Sequence, residues 1–75
     1  MQPYKDLGND SGVAAYENGS DYIKVQFKEG RWTLYTYTYQ SAGSAAIETM
    51  KALAQQGQGL NSYISTHKPP YSSKS

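Results

Sequence analysis

A chain of 75 residues is one domain near the lower size limit for independent folding, and 7 Lys/Arg against 6 Asp/Glu leave a net charge of +1, which argues against a strongly electrostatic nucleic-acid binder. With no cysteine, disulfide staples and thiolate metal sites are excluded. No apolar run approaches the ~20 residues of a transmembrane helix and the start of the chain has no hydrophobic signal core, so a cytoplasmic protein is expected.

Residues 1–11 are polar and rich in turn formers (Pro3, Gly8, Asn9, Asp10) and read as a flexible arm. Residues 12–17 form a weak strand candidate. Asn18-Gly19 follows, the strongest short hairpin signal in the chain. From Tyr22 to Lys28 the pattern alternates: Ile23, Val25 and Phe27 point one way, and Tyr22, Lys24, Gln26 and Lys28 the other. Residues 31–39, RWTLYTYTY, are aromatic and β-branched and fit a pleated surface, but both faces carry bulk. The turn chooses between them. A two-residue Glu29-Gly30 loop needs Glu29 at positive φ; a three-residue Lys28-Glu29-Gly30 loop needs only Gly30 there and is favoured. It pairs Val25 with Thr33 and Ile23 with Tyr35, sends Tyr35 and Tyr37 inward, and leaves Trp32 and Leu34 outside beside Tyr22, Lys24 and Gln26. The two-residue loop would reverse these faces.

Residues 40–43 end the sheet, and Ser44 is placed to cap a helix through its hydroxyl. Ile47, Met50, Leu53 and Ala54 recur at helical spacing as one apolar stripe, which ends at Gly57 in the left-handed conformation. Leu60, Tyr63, Ile64 and His67 mark a second, short helix, stopped by Pro69 and Pro70. The expectation is an α+β domain over residues 12–67, a three-stranded antiparallel meander followed by two helices packed on one face, with a flexible tail over 68–75. About a dozen apolar side chains can be buried at ~1.5–3 kcal/mol each, against an ordering cost of ~1–2 kcal/mol per residue, so a marginal monomer or a dimer is expected.

No catalytic constellation is visible. His67 is the lone imidazole, and the carboxylates Asp6, Asp10, Glu17, Asp21, Glu29 and Glu48 fall in the arm, in turns and on a helix face, with no spacing for shared acid/base work. Gly57 and Gly59 follow a helix rather than a strand and precede no Lys-Ser/Thr pair, so they are no phosphate loop. No enzyme, cofactor or metal site is expected. What remains is the outer sheet face, where Tyr22, Lys24, Trp32 and Leu34, with Lys28 and Arg31 at the turn, interleave rings and cations as a surface for unpaired bases would. The same patch equally suits a protein partner or a second copy of the chain.

Residues 16–71 resemble the KTSC domain, a small module of bacterial and phage proteins that also occurs at the C-terminal end of some lysyl-tRNA synthetases. The resemblance rests on Ile23-x-Val25-x-Phe27-Lys28-x-Gly30, on Tyr35-x-Tyr37, on Gly57-x-x-Leu60-Asn61-x-x-Ile64, and on a terminal aromatic, Tyr71. It implies a β-meander followed by helices, a suggested RNA-binding role and no known active site. Two readings therefore stand: a non-catalytic RNA-binding module, and a protein-interaction or homodimerisation module. Within the motif, Asn61 at the start of the short helix is expected to cap it or bridge the inter-helix turn.

Overall fold

The alternating run that begins at Tyr22 becomes the middle strand of a sheet. In the computed structural model, which describes residues 1–8 and 11–75, β2 (Val13–Asn18), β3 (Tyr22–Phe27) and β4 (Leu34–Thr38) form the antiparallel meander. Two two-residue strands, β1 (Gln2–Pro3) and β5 (Ser73–Lys74), extend it at its two edges to the order β1-β2-β3-β4-β5. Three helices follow β4: α1 (Tyr39–Ala42), α2 (Ser44–Gln56) and α3 (Leu60–His67). The α+β class and the helix-covered meander are as expected. One short helix and two edge strands are added to them.

The core lies between the sheet and α2–α3. Ile23 and Val25 of β3, Ile47 and Met50 of α2, and Leu60 of α3 are fully buried, with Tyr37 of β4 nearly so. These are the positions that strand alternation and the helical stripe select. Strand β2 buries Val13 and Tyr16, which a regular strand would place on opposite faces. The pairing resolves this. Val13 faces Phe27 but Ala15 faces Gln26, so Ala14 is an extra residue in a β-bulge, and the bulge turns both side chains inward.

The β3–β4 hairpin pairs Ile23 with Tyr37 and Val25 with Tyr35, a slide of two residues from the expected register. The Phe27 N–H donates to the Thr33 carbonyl at 2.7 Å, so the loop comprises residues 28–32 rather than Lys28-Glu29-Gly30. Its ends are held by residues that flank other strands: the Lys28 N–H reaches the Gly12 carbonyl (2.8 Å), and the Thr33 and Leu34 N–H groups reach the Ser75 carbonyl (3.1 and 3.0 Å). Gly30 takes the positive φ (123°) that the turn requires. Because side chains alternate, a slide of two keeps Tyr35 and Tyr37 on the inner face. Trp32 leaves the strand for the loop.

The two terminal segments correct the expected boundaries. The first residues are not a free arm: Gln2 pairs with Tyr16, Pro3 with Ala15, and Tyr4 is buried in the core. The Tyr4 hydroxyl accepts the Leu60 N–H (3.3 Å), and the Leu7 N–H donates to the Gly57 carbonyl (2.7 Å). A tyrosine suits this place, offering an apolar body to the core and a polar tip to a helix end. Asn9 and Asp10, read as turn formers of the arm, lie outside the described residues. The last residues are no free tail either, since Tyr35 pairs with Lys74 and Thr36 with Ser73.

Helix ends also differ in detail. Thr38 caps α1, its hydroxyl accepting the Ser41 N–H while the Ser41 hydroxyl accepts the Thr38 N–H. Ser44 is the first residue of α2 rather than its cap, which is Gly43. Gly57 closes α2 in the left-handed region (φ 78°), as expected. Asn61 lies inside α3, whose cap is Gly59 without a side-chain bond; the N–H of Leu60 is satisfied by Tyr4 instead.

Candidate functional site

The structure divides the residues expected to share one outer patch. Tyr22, Lys24 and Leu34 do lie on the sheet face away from the helices, where each is half-buried among Glu17, Gln26 and Thr36. The Lys24 ammonium is 5.9 Å from the Tyr22 ring centroid. The Tyr22 hydroxyl donates to the Glu17 carboxylate (2.8 Å), and this bond raises the phenol's pKa above its ordinary value. Tyr22 is the single aromatic ring among these side chains, so the face is no stacking platform. Lys28 is drawn away to the Asp6 carboxylate at 3.2 Å, and Arg31 and Trp32 belong to the loop. The physical reason is the longer loop: two more residues leave the strand, and Trp32 is one of them.

Trp32 instead lines a groove of about 560 Å³ at one end of the helix-covered face. Phe27, Tyr35, Tyr37 and Ile64 supply apolar lining, while Lys68, Pro69, Pro70 and Tyr71 bring the segment after α3 alongside. That segment turns back because Pro69 cannot continue the helix and Lys68 adopts the left-handed region (φ 47°). Tyr35 is the hub. Its ring meets Phe27 edge-on at 5.4 Å and Tyr71 edge-on at 5.0 Å, and stacks with Tyr37 at 6.3 Å. Such offset and edge-to-face pairs are the favoured aromatic geometries.

Cations gather at the mouth. Lys74 faces Tyr35 across the β4–β5 ladder and therefore shares its side of the sheet. Its ammonium lies 5.8 Å from the Trp32 ring and 5.3 Å from the Tyr71 ring, and the Arg31 guanidinium is 5.7 Å from Trp32. Arg31 and Lys68 line the groove against one carboxylate, Glu29. Trp32 remains 45% exposed and Tyr71 44%, so both rings offer faces to a ligand. Deeper in, Tyr37 is held protonated: burial foremost, then the neighbouring Tyr35 and Tyr71, push its pKa up to about 12. The groove thus presents aromatic rings beside positive side chains and one carboxylate.

The remaining motif residues serve the scaffold. Leu60 is fully buried, Ile64 packs against the core beside the groove, and Asn61 lies against Gly12, where an added Cβ would sit 3.5 Å from its Oδ1. Gly57 is crossed by the N-terminal segment, so a Cβ there would stand 2.5 Å from the Lys5 Cβ. The His67 ring stacks on Tyr63 at 4.2 Å, with Nδ1 3.2 Å from the Tyr63 carbonyl. Among the described residues, no group of three or more His, Asp or Glu side chains could hold a metal ion, and no helix is long and apolar enough to cross a membrane. Pro69 and Pro70 were legible as a helix stop but not as groove lining, and nothing in the sequence pointed to Lys68 or Lys74; a strand of two residues carries no readable period.

Fold and groove together define a small α+β domain whose cation-rimmed aromatic groove opens at one end of the covered sheet face. Comparison of the chain with protein-family models, with curated proteins and with solved structures finds no match.

Proposed function

We propose that this chain is a small non-catalytic module that binds single-stranded RNA through the groove of Trp32, Tyr35 and Tyr71. The observation that carries this reading is the pairing of two half-exposed rings, Trp32 and Tyr71, with a shared ammonium at 5.8 and 5.3 Å. Unpaired bases stack on such rings whatever their identity, while Arg31 and Lys68 line the groove and Lys74 lies over its two exposed rings, three cations placed to meet phosphates. The resemblance to the KTSC domain supports the same role by analogy alone. The outer face, with one aromatic ring, is the weaker candidate.

The test is an anisotropy titration of a labelled mixed-sequence RNA at low salt. Loss of one stacked base should cost about 1–3 kcal/mol, so Trp32→Ala should weaken binding roughly 5- to 150-fold. Three phosphate-facing cations should give a log–log salt slope of about −2, reduced by about 0.7 in Lys74→Ala. No affinity at low salt would overturn the nucleic-acid reading. An affinity unchanged by Trp32→Ala but lowered by Tyr22→Ala would move the interface to the outer face.

A further inference from the structure

The segment that completes the groove is the least anchored part of the sheet. Strand β5 is two residues long, and residues 71–75 are all exposed. It is held by main-chain bonds to one edge, among them the Ser75 N–H to the Leu34 carbonyl (2.8 Å) and the Ser72 N–H to the Thr36 carbonyl (2.6 Å). Its side-chain contacts are the Tyr71 ring on Tyr35 and the Lys74 ammonium over Trp32 and Tyr71. The other edge strand differs, since β1 leads directly into the buried Tyr4.

The connection to α3 is strained and stiff. Lys68 holds φ at 47°, a conformation that a side chain with a Cβ disfavours. Two prolines follow it, fixing φ and favouring an extended course. Opening this hinge relieves Lys68 but leaves the β4 edge bare from Thr33 to Thr36, a row of unpaired main-chain groups beside exposed aromatic rings. The segment known to fit that edge is the one just removed from it. A second copy of the chain carries the same segment and can restore every bond.

We propose that residues 69–75 exchange between two copies of this chain, so that β5 of each copy pairs with β4 of the other. Tyr71 and Lys74 then complete the groove of the partner, and neither groove is whole without the other chain. The exchange costs no contact, because each interaction lost within a copy is regained between copies, and two strained hinges are released per dimer. This inference does not depend on the nature of the groove's ligand.

The absence of cysteine makes the exchange directly testable. Thr36 and Ser73 are paired across β4 and β5, and facing residues in such a ladder stand about 5.5 Å apart at Cα, within reach of a disulfide. Full-length Thr36→Cys and Ser73→Cys chains, co-refolded as an equimolar mixture and oxidised, should yield a mixed disulfide dimer on a non-reducing gel, in excess of either self-linked product. Sedimentation of the unmodified chain should show a monomer–dimer equilibrium. Lys68→Gly, which relieves the closed hinge without exchange, should weaken that dimer by about 25-fold if each of the two hinges contributes about five-fold. A chain that sediments as a monomer at all concentrations overturns the proposal. So does a dimer that forms no mixed disulfide, or one whose dissociation constant Lys68→Gly leaves unchanged.

Discussion

Tyr4 joins three parts of the fold, and its truncation is the sharpest test of how the first strand is held. The ring is 7% exposed within the core cluster, and its hydroxyl accepts the N–H of Leu60, the first residue of α3. Aromatic truncation in a core costs about 3–5 kcal/mol. Tyr4→Ala also leaves a buried helix-start N–H without its acceptor. A domain of this length has a total stability of about 4–11 kcal/mol, at ~0.05–0.15 kcal/mol per residue. Tyr4→Ala should therefore remove a third or more of it. With a urea slope near ~1 kcal/mol/M, the midpoint should fall by about 3 M. Tyr4→Phe isolates the hydrogen bond and should lose only about 1 kcal/mol. Urea melts followed by far-ultraviolet circular dichroism give both values. A Tyr4→Ala midpoint within about 0.5 M of the parent would refute the reasoning and mean that β1 and Tyr4 leave the sheet in solution.

Tyr37→Ala should cost about 3–5 kcal/mol and Trp32→Ala distinctly less, because the first ring is buried and the second is half in water; equal losses in the same melts would mean that the Trp32 ring is as deeply packed as Tyr37. Gly57→Ala should destabilise by at least about 1–2 kcal/mol, since it forces a Cβ into the left-handed region (φ 78°) and against Lys5; an unchanged thermal midpoint would show that the N-terminal segment does not cross there. Raising pH should destabilise the fold. Tyr37 has its folded pKa pushed up to about 12 from 10.0, so its contribution is complete below pH 10.0 and is lost as pH climbs toward 12. Absorbance titration of the phenols should find a late ionisation that Tyr37→Phe removes, and a protein whose melting temperature is flat across that window would contradict it.

The local regularities of the fold could be read from residues close in sequence. Ile23, Val25 and Phe27 alternate, Ile47, Met50 and Ala54 recur at helical spacing, and Gly57 stops the helix; each signal lies within one element. What escaped reading depends on distant partners. The hairpin register turned on Lys28 bonding to Gly12 and on Thr33 bonding to Ser75, and no pattern near the turn encodes either contact. The inward aim of Tyr35 and Tyr37 survived because the slide was even. The site did not survive it, since the same slide took Trp32 off the strand. Tyr4 was legible only as a tyrosine in a polar segment and Tyr71 only as the terminal aromatic of the family resemblance, because the two-residue strands beside them are too short to show alternation. The bulge at Ala14 was likewise hidden: Val13 and Tyr16 share a face only once the extra residue is known.

Trp32 is the only tryptophan in the chain, and it sits where the last strand meets the groove, with the Lys74 ammonium 5.8 Å from its ring. Its emission is therefore a local optical gauge rather than an average over the molecule. Departure of β5 removes a positive charge from the indole's vicinity and admits water, which shifts the emission while the circular dichroism of the helices stays constant. Unfolding of the core changes both signals together. Recorded side by side during a single titration, the two spectra separate opening of the sheet edge from collapse of the whole domain without any label attached.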